Sequence, residues 1–113
     1  MKIDELYLLD IIEAASDIQI FLKDIEEERF MLDRLMQSAV LFKLAVIGQS
    51  AAKVNQGLKD KYDDIPWDEM MAYSDFLQNP QGISNDKVWT SAVVDIADIQ
   101  YSVRDVLKNE FSR

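Results

Sequence analysis

Histidine and cysteine are both absent from these 113 residues. Without histidine the chain lacks the side chain most used for proton transfer near neutral pH and the commonest transition-metal ligand. Without either, a zinc site has no ordinary donor set. Glycine and proline number only three and two, so little interrupts a helix. No uninterrupted apolar run reaches the roughly 18 residues that mark a membrane-spanning helix. Met1-Lys2-Ile3-Asp4-Glu5 lacks the basic-then-apolar form of a signal peptide, and the expected address is cytoplasmic, with no membrane association. Phosphate-binding glycine loops, Walker sequences and nucleophile elbows are missing too. Positive charge is also short: 12 Lys and Arg face 21 Asp and Glu, a net charge of −9. That opposes non-specific binding to nucleic acid. Contact with RNA would need a local basic pocket, a dimer groove or a partner chain.

What is present is helical pattern. Hydrophobic residues make up 49% and charged residues 29%, enough for one core in a single domain, residues 1–113. Leu8, Ile11, Ala15, Ile18, Leu22 and Ile25 alternate three- and four-residue steps and predict a helix from about Asp4 to Asp24. The charged run Asp24–Arg29 predicts a turn. Val40, Leu44, Ile47, Ala51, Val54 and Leu58 predict a second helix from about Arg34 to Tyr62, about 40 Å long at 1.5 Å per residue. Gly48, with Ser50, Ala51 and Ala52, lets a neighbouring helix approach closely. Gly57 weakens the last turns by roughly 1 kcal/mol relative to Ala. Pro66 sits where a helix can begin, and a short helix is expected from Trp67 to about Gln78, broken by Asn79-Pro80-Gln81-Gly82. Asn85 or Ser84 caps the last helix, which runs to about Asn109 with Trp89, Ala92, Ile96, Ile99, Val103 and Val106 as its stripe. Such stripes bury only against one another. The expected fold is all-α, an antiparallel bundle of four to five helices.

Candidate chemistry is thin. Asp10, Glu13 and Asp17 share a face of the first helix, as carboxylates do in di-metal bundles, but those also use Glu-x-x-His pairs; a solvated face is the better reading. Asp95, Asp98 and Asp105 on the last helix read the same way, with a carboxylate-only Mg²⁺ site as the sharper alternative. Trp89 and Tyr101 are candidate base-stacking residues, yet Trp89 lies in the stripe and reads as core, while Tyr101 reads as facing a partner chain. Met70, Met71, Tyr73 and Phe76 read as core or interface. No metal or cofactor site is predicted.

Several stretches in order carry a resemblance: Tyr7-Leu8-Leu9-Asp10-Ile11-Ile12-Glu13-Ala14; Gln37-Ser38-Ala39-Val40 leading into Val46-Ile47-Gly48-Gln49-Ser50-Ala51-Ala52-Lys53; Tyr62-Asp63-Asp64-Ile65-Pro66-Trp67; and Lys87-Val88-Trp89. Over nearly its whole length the chain resembles the HepT-like branch of the HEPN proteins, the ribonuclease half of bacterial toxin–antitoxin pairs. The resemblance implies a homodimeric helical bundle. It also implies metal-independent RNA cleavage by an Arg-x4–6-His motif from each subunit, and a nucleotidyltransferase antitoxin that adds AMP to the tyrosine of a continuing His-x-Tyr. In that chemistry histidine moves a proton while the 2′-hydroxyl attacks phosphate, and the planar guanidinium neutralises the growing charge.

At the motif position this chain reads Ser74-Asp75-Phe76-Leu77-Gln78-Asn79-Pro80-Gln81. Ser74 stands for the arginine, Asn79 for the histidine and Gln81 for the AMP-accepting tyrosine. Asparagine does not titrate, serine carries no charge, and no arginine lies between Arg34 and Arg104. Three readings follow. One is a HepT-like homodimer that has lost catalysis and binds a nucleotidyltransferase or RNA. The second is a generic dimeric helical scaffold without a nucleic-acid role. The third is a ribonuclease with a reorganised site, with Asp75 as base beside a divalent metal.

Overall fold

The computed structural model describes residues 3–79 and 82–112. Among them every regular element is helical: α1 (Ile3–Phe21), α2 (Glu27–Leu32), α3 (Arg34–Lys53), α4 (Gln56–Lys61), α5 (Trp67–Ala72), α6 (Asp75–Gln78), α7 (Asn85–Thr90) and α8 (Ile96–Phe111), with a π-helical turn at Ser91–Asp95 fusing the last two. The all-α bundle expected from the apolar stripes is what forms.

α1 and α3 are the central pair. Their stripes close completely: Leu8, Ile11, Ala15 and Ile18 of α1 and Val40, Leu44, Ile47 and Ala51 of α3 have no exposed surface. Each fully buried Leu or Ile contributes roughly 1.5–3 kcal/mol. The pair is antiparallel, because its polar ties run in opposite order along the two helices, the start of α1 meeting the residues just past α3 and the later part of α1 meeting the middle of α3. The Asn55 N–H donates to Asp4 Oδ1 at 3.1 Å, and Lys43 Nζ pairs with Asp17 Oδ2 at 2.8 Å. α8 lies antiparallel on the other side of α1, where the buried Gln100 amide donates to Ser16 Oγ at 2.8 Å and to the Ile12 carbonyl at 3.4 Å. α3 is also the one helix among the described residues long and apolar enough to cross a membrane. Its stripe Val40, Leu44, Ile47 and Ala51, however, is spent inside the fold, while Leu35 and Phe42 are exposed.

Four expectations need correction. The charged run Asp24–Arg29 is only partly turn. Asp24 takes a left-handed φ of 61°, and α2 then forms because Phe30, wholly buried, anchors it against Trp89 with ring centroids 5.3 Å apart. Gln37 Nε2 donates to the carbonyls of Phe30 and Met31 at 2.9 and 3.1 Å and closes the end of α2. Asp33 caps α3 by accepting from the Met36 N–H at 3.0 Å.

The helix expected to run unbroken to Tyr62 stops at Lys53. Val54 and Asn55 are extended, with ψ of 141° and 135°. Asn55 is an N-cap: its Oδ1 accepts from the Gly57 N–H at 2.8 Å and starts α4. The apolar spacing continued across the break and hid this local competition between side chain and backbone.

The short helix expected over Trp67–Gln78 is two pieces, α5 and α6, joined through Tyr73 and Ser74. Its start at Trp67, after Pro66, is as expected. Gly48 explains the joint. A Cβ there would lie 2.5 Å from the Ser74 nitrogen and 2.7 Å from the Met70 carbonyl oxygen. The close approach expected of Gly48 is therefore real, and it is made to the backbone of this joint.

In the last helix, the π turn inserts one extra residue into the ladder. Val88 rather than Trp89 then takes the innermost position ahead of Ala92 and Ile96, and Trp89 is only partly buried. Ser84 is the cap, accepting from the Lys87 N–H at 3.1 Å.

Candidate functional site

The residues at the motif position lie where α5 meets α6 and just beyond. Ser74 is half-buried, and its hydroxyl donates to the Met71 carbonyl at 2.7 Å. That bond ties the hydroxyl to the last turn of α5. Asp75 is exposed at the start of α6. Asn79 is exposed at its end; its N–H donates to the Asp75 carbonyl at 3.2 Å and its carbonyl accepts from the Gly82 N–H at 3.0 Å. The Asn79 amide lies over Gly82, where a Cβ would come within 2.6 Å of Nδ2. Gln81 falls outside the described residues. The structure thus joins Asp75 and Asn79 through backbone bonds and holds Ser74 by its own preceding turn. Among the described residues no three Asp or Glu side chains are grouped to hold a metal ion, so Asp75 has no carboxylate cluster to join.

Beside this segment lies a cleft of about 450 Å³ between α5–α6 on one side and α7 with the π turn on the other. Glu69, Tyr73 and Phe76 line the first wall; Lys87, Ser91 and Asp95 are on the second. The π turn is why Ser91 and Asp95 face it, since the inserted residue rotates this part of the helix relative to α8. Asp95 is therefore only partly exposed, whereas Asp98 and Asp105, with which it was expected to share a solvated face, are exposed. Burial raises its carboxyl above the usual range, and the charges of Glu69 and Asp98 push the same way against Lys87.

Tyr73 is 4% exposed, and its buried hydroxyl has no hydrogen-bond partner among the described residues. Burial pushes this phenol up to about 12; Ser91 acts in the opposite sense without meeting hydrogen-bond geometry, and the charges of Asp95 and Glu69 raise it further. Tyr73 and Phe76 pair as tilted rings with centroids 5.5 Å apart. Both were expected to be core or interface, and both are buried, yet they also form a wall of the cleft. Nothing in their spacing distinguishes the two roles.

The remaining candidates have plainer positions. Trp89 packs on Phe30 and is not offered as a stacking surface, whereas Tyr101 is 73% exposed. Asp10 and Glu13 are solvated, and Asp17 is paired with Lys43. Lys59, which the pattern did not single out, is 5% exposed, with its ammonium 3.4 Å from Met71 Sδ and 3.5 Å from the Ala52 carbonyl. At the end of α4, Glu110 Oε2 of α8 accepts from Lys61 Nζ at 2.8 Å and from the Tyr62 hydroxyl at 2.7 Å. These bonds, that from Lys61 first, hold the Glu110 carboxyl below its ordinary value.

A bundle of this form, with its motif segment at a short-helix joint, can be set beside known proteins. Residues 11–106 match the model of the family described as ribonuclease HepT-like. The chain belongs to this family. A Methanocaldococcus jannaschii protein named as a candidate RNase (MJ1380) is 30% identical over 101 residues, covering 88% of this chain and 93% of the relative. A Thermococcus cleftensis protein named as a probable ribonuclease HepT is 32% identical over 95 residues, covering 83% and 86%. A Caldanaerobacter subterraneus candidate RNase (TTE0752) is 23% identical over 111 residues, 97% and 99% of the two chains. No solved structure gives a significant match.

Proposed function

We propose that this chain is a HepT-like homodimer whose ribonuclease site is impaired and which acts by binding, with a nucleotidyltransferase antitoxin as the partner and RNA as the second candidate ligand. The observation that carries this reading is the motif position itself. With no histidine in the chain, Asn79 offers hydrogen bonds and no titrating proton. The Ser74 hydroxyl is turned back onto Met71 and brings no charge to a phosphate. The neighbouring cleft is lined by Glu69, Asp86 and Asp95 against Lys87, an electrostatic setting that repels a phosphodiester.

The dimer is supported by apolar surface left over after the core is closed. Leu77, Val93 and Val94 are 41%, 41% and 54% exposed, as is most of Tyr101. These lie on the short helices and the last helix, where the sequence held more apolar residues than one stripe needs. Light scattering at micromolar concentration is expected to give twice the 13.0 kDa chain mass; a monomer would remove the dimer from the proposal.

The deciding experiment is RNA cleavage by purified protein, with magnesium and with chelator, beside the Ser74→Arg/Asn79→His double variant. The expected result is no cleavage by the native chain and recovered cleavage by the variant. Native cleavage independent of chelator would overturn the impaired-site reading. Native cleavage lost on chelation and on Asp75→Ala would instead establish the reorganised metal-dependent site. Co-purification with a nucleotidyltransferase encoded beside this gene tests the partner, and its absence favours the generic scaffold.

A further inference from the structure

We propose that the cleft between α5–α6 and the α7–π segment binds a compact organic cation, an amine or guanidinium group, held between Glu69 and Asp95 over the Tyr73–Phe76 ring pair. This goes beyond the family reading and does not depend on whether RNA is cut.

Four observations converge on one place. The volume, about 450 Å³, is in the range of small-molecule sites. The lining is lopsided in charge, with Glu69, Asp86 and Asp95 against Lys87, so a cation is drawn in and an anion is not. Two aromatic rings lie in the same wall: Tyr73 and Phe76, tilted with centroids 5.5 Å apart and each 4% exposed, back the carboxylates, and rings beside carboxylates are the pairing that recognises ammonium and guanidinium groups. Lastly, the Tyr73 hydroxyl is buried without a partner among the described residues, in the field of Asp95 and Glu69 and beside Ser91. A buried hydroxyl left unbonded is costly, and N–H donors arriving in the cleft would meet its free acceptor lone pairs and those of Ser91 after a small shift of the floor.

The comparison with α1 shows that this is more than an acidic surface. There Asp17 is neutralised by Lys43 at 2.8 Å and no ring or orphaned hydroxyl lies among the lining residues. A metal ion is the weaker occupant, because no three carboxylates are grouped for coordination among the described residues. The π turn adds a structural reason, since such turns recur where a helix is re-aimed at a ligand, and here it aims Ser91 and Asp95 at the same space.

The test is calorimetric or NMR titration of the full chain at about physiological ionic strength, where diffuse surface attraction is largely screened. The probes are agmatine and spermidine as free cations and a blocked Gly-Arg-Gly peptide as a protein-borne one. Saturable binding of either kind supports the site, and the probe that binds tells a free ligand from a partner's side chain. Glu69→Gln/Asp95→Asn is expected to weaken binding at least about tenfold, and Tyr73→Phe by about threefold, with amide shifts centred on Tyr73, Phe76 and Ser91. Asp10→Asn/Glu13→Gln is the control and leaves affinity unchanged. Binding equally strong in both double variants, competition by Mg²⁺ at equal concentration, or no saturation by any probe would each overturn the proposal. Folding of every variant is checked by its melting curve, and Tyr73→Phe, which keeps the ring, supplies the reading if the double variant melts early.

Discussion

The α1–α3 pair and the α5–α6–α7 segment are built from the same kinds of residue and behave as opposites. In the first, stripe positions on both helices are completely buried, and the polar residues at the edges find partners: Asp17 with Lys43, Asp4 with Asn55. In the second, helices of four to six residues are held by their neighbours, a π turn interrupts the ladder, and the buried Tyr73 hydroxyl has no partner among the described residues, beside a raised Asp95 carboxyl. The difference teaches where to look for function in a small bundle. Stability is concentrated where every group is satisfied, and sites form where some are left unsatisfied.

The largest expected effect comes from breaking the first region. Leu44→Ala, at a fully buried α3 position, should cost about 2–5 kcal/mol in urea denaturation. A cost below about 1 kcal/mol would mean that the α1–α3 contact is not the centre of the core.

Gly48→Ala couples the two regions. Its Cβ would strike backbone atoms of the α5–α6 joint at 2.5 and 2.7 Å, and backbone cannot rotate away as a side chain does. A loss of about 1–3 kcal/mol is expected, with hydrogen exchange accelerated chiefly at Met70–Phe76. Unchanged exchange there would show that α3 does not brace the joint.

Changes in the second region should run the other way. Tyr73→Phe removes the orphaned hydroxyl and keeps the packing with Phe76, so stability should rise by about 1 kcal/mol. A loss of stability would mean that the hydroxyl does find a partner in solution.

The smallest effect is expected of Asp95→Asn, and its sign depends on pH. A carboxyl raised in the folded state contributes stability that is full below its unfolded pKa and lost as pH rises through the folded value. The native chain therefore gives up stability at Asp95 near neutral pH, and the Asn variant should melt higher there and equally in acid. Equal melting at both would show that Asp95 is solvated like Asp98. Tyr73 behaves alike in the alkaline range: its phenol is pushed up to about 12, so its contribution falls away as pH climbs from about 10 toward that value.

Much of the first region was legible in the residues, because a stripe of apolar side chains at three- and four-residue steps has only one way to leave water. Leu8 to Ile18 and Val40 to Ala51 could be named as core from spacing alone, and Gly48 as a point of close approach. The break at Val54–Asn55 was not legible, since the apolar spacing runs on to Leu58 while a single Asn55 cap decides against it. The motif position at Ser74 and Asn79 was found by order along the chain, and the cleft next to it was not found at all. Tyr73, Phe76, Ser91 and Asp95 are separated by up to 22 positions and carry no common spacing. They become one site only through the Gly48 contact and the π turn.

What the amino-acid sequence by itself determined is the all-α class, the apolar stripes of the long helices, the HepT-like membership and the absence of any histidine. These are properties of residue type and of periodicity, which the backbone enforces locally. The tertiary structure alone decided that Val88 displaces Trp89 in the core, that Asp95 is partly covered at the cleft, and that the buried Tyr73 hydroxyl has no partner among the described residues. Each of those depends on how far one helix is rotated against another, and a rotation of one residue step, about 100°, is below what spacing can resolve when a single inserted residue shifts the register.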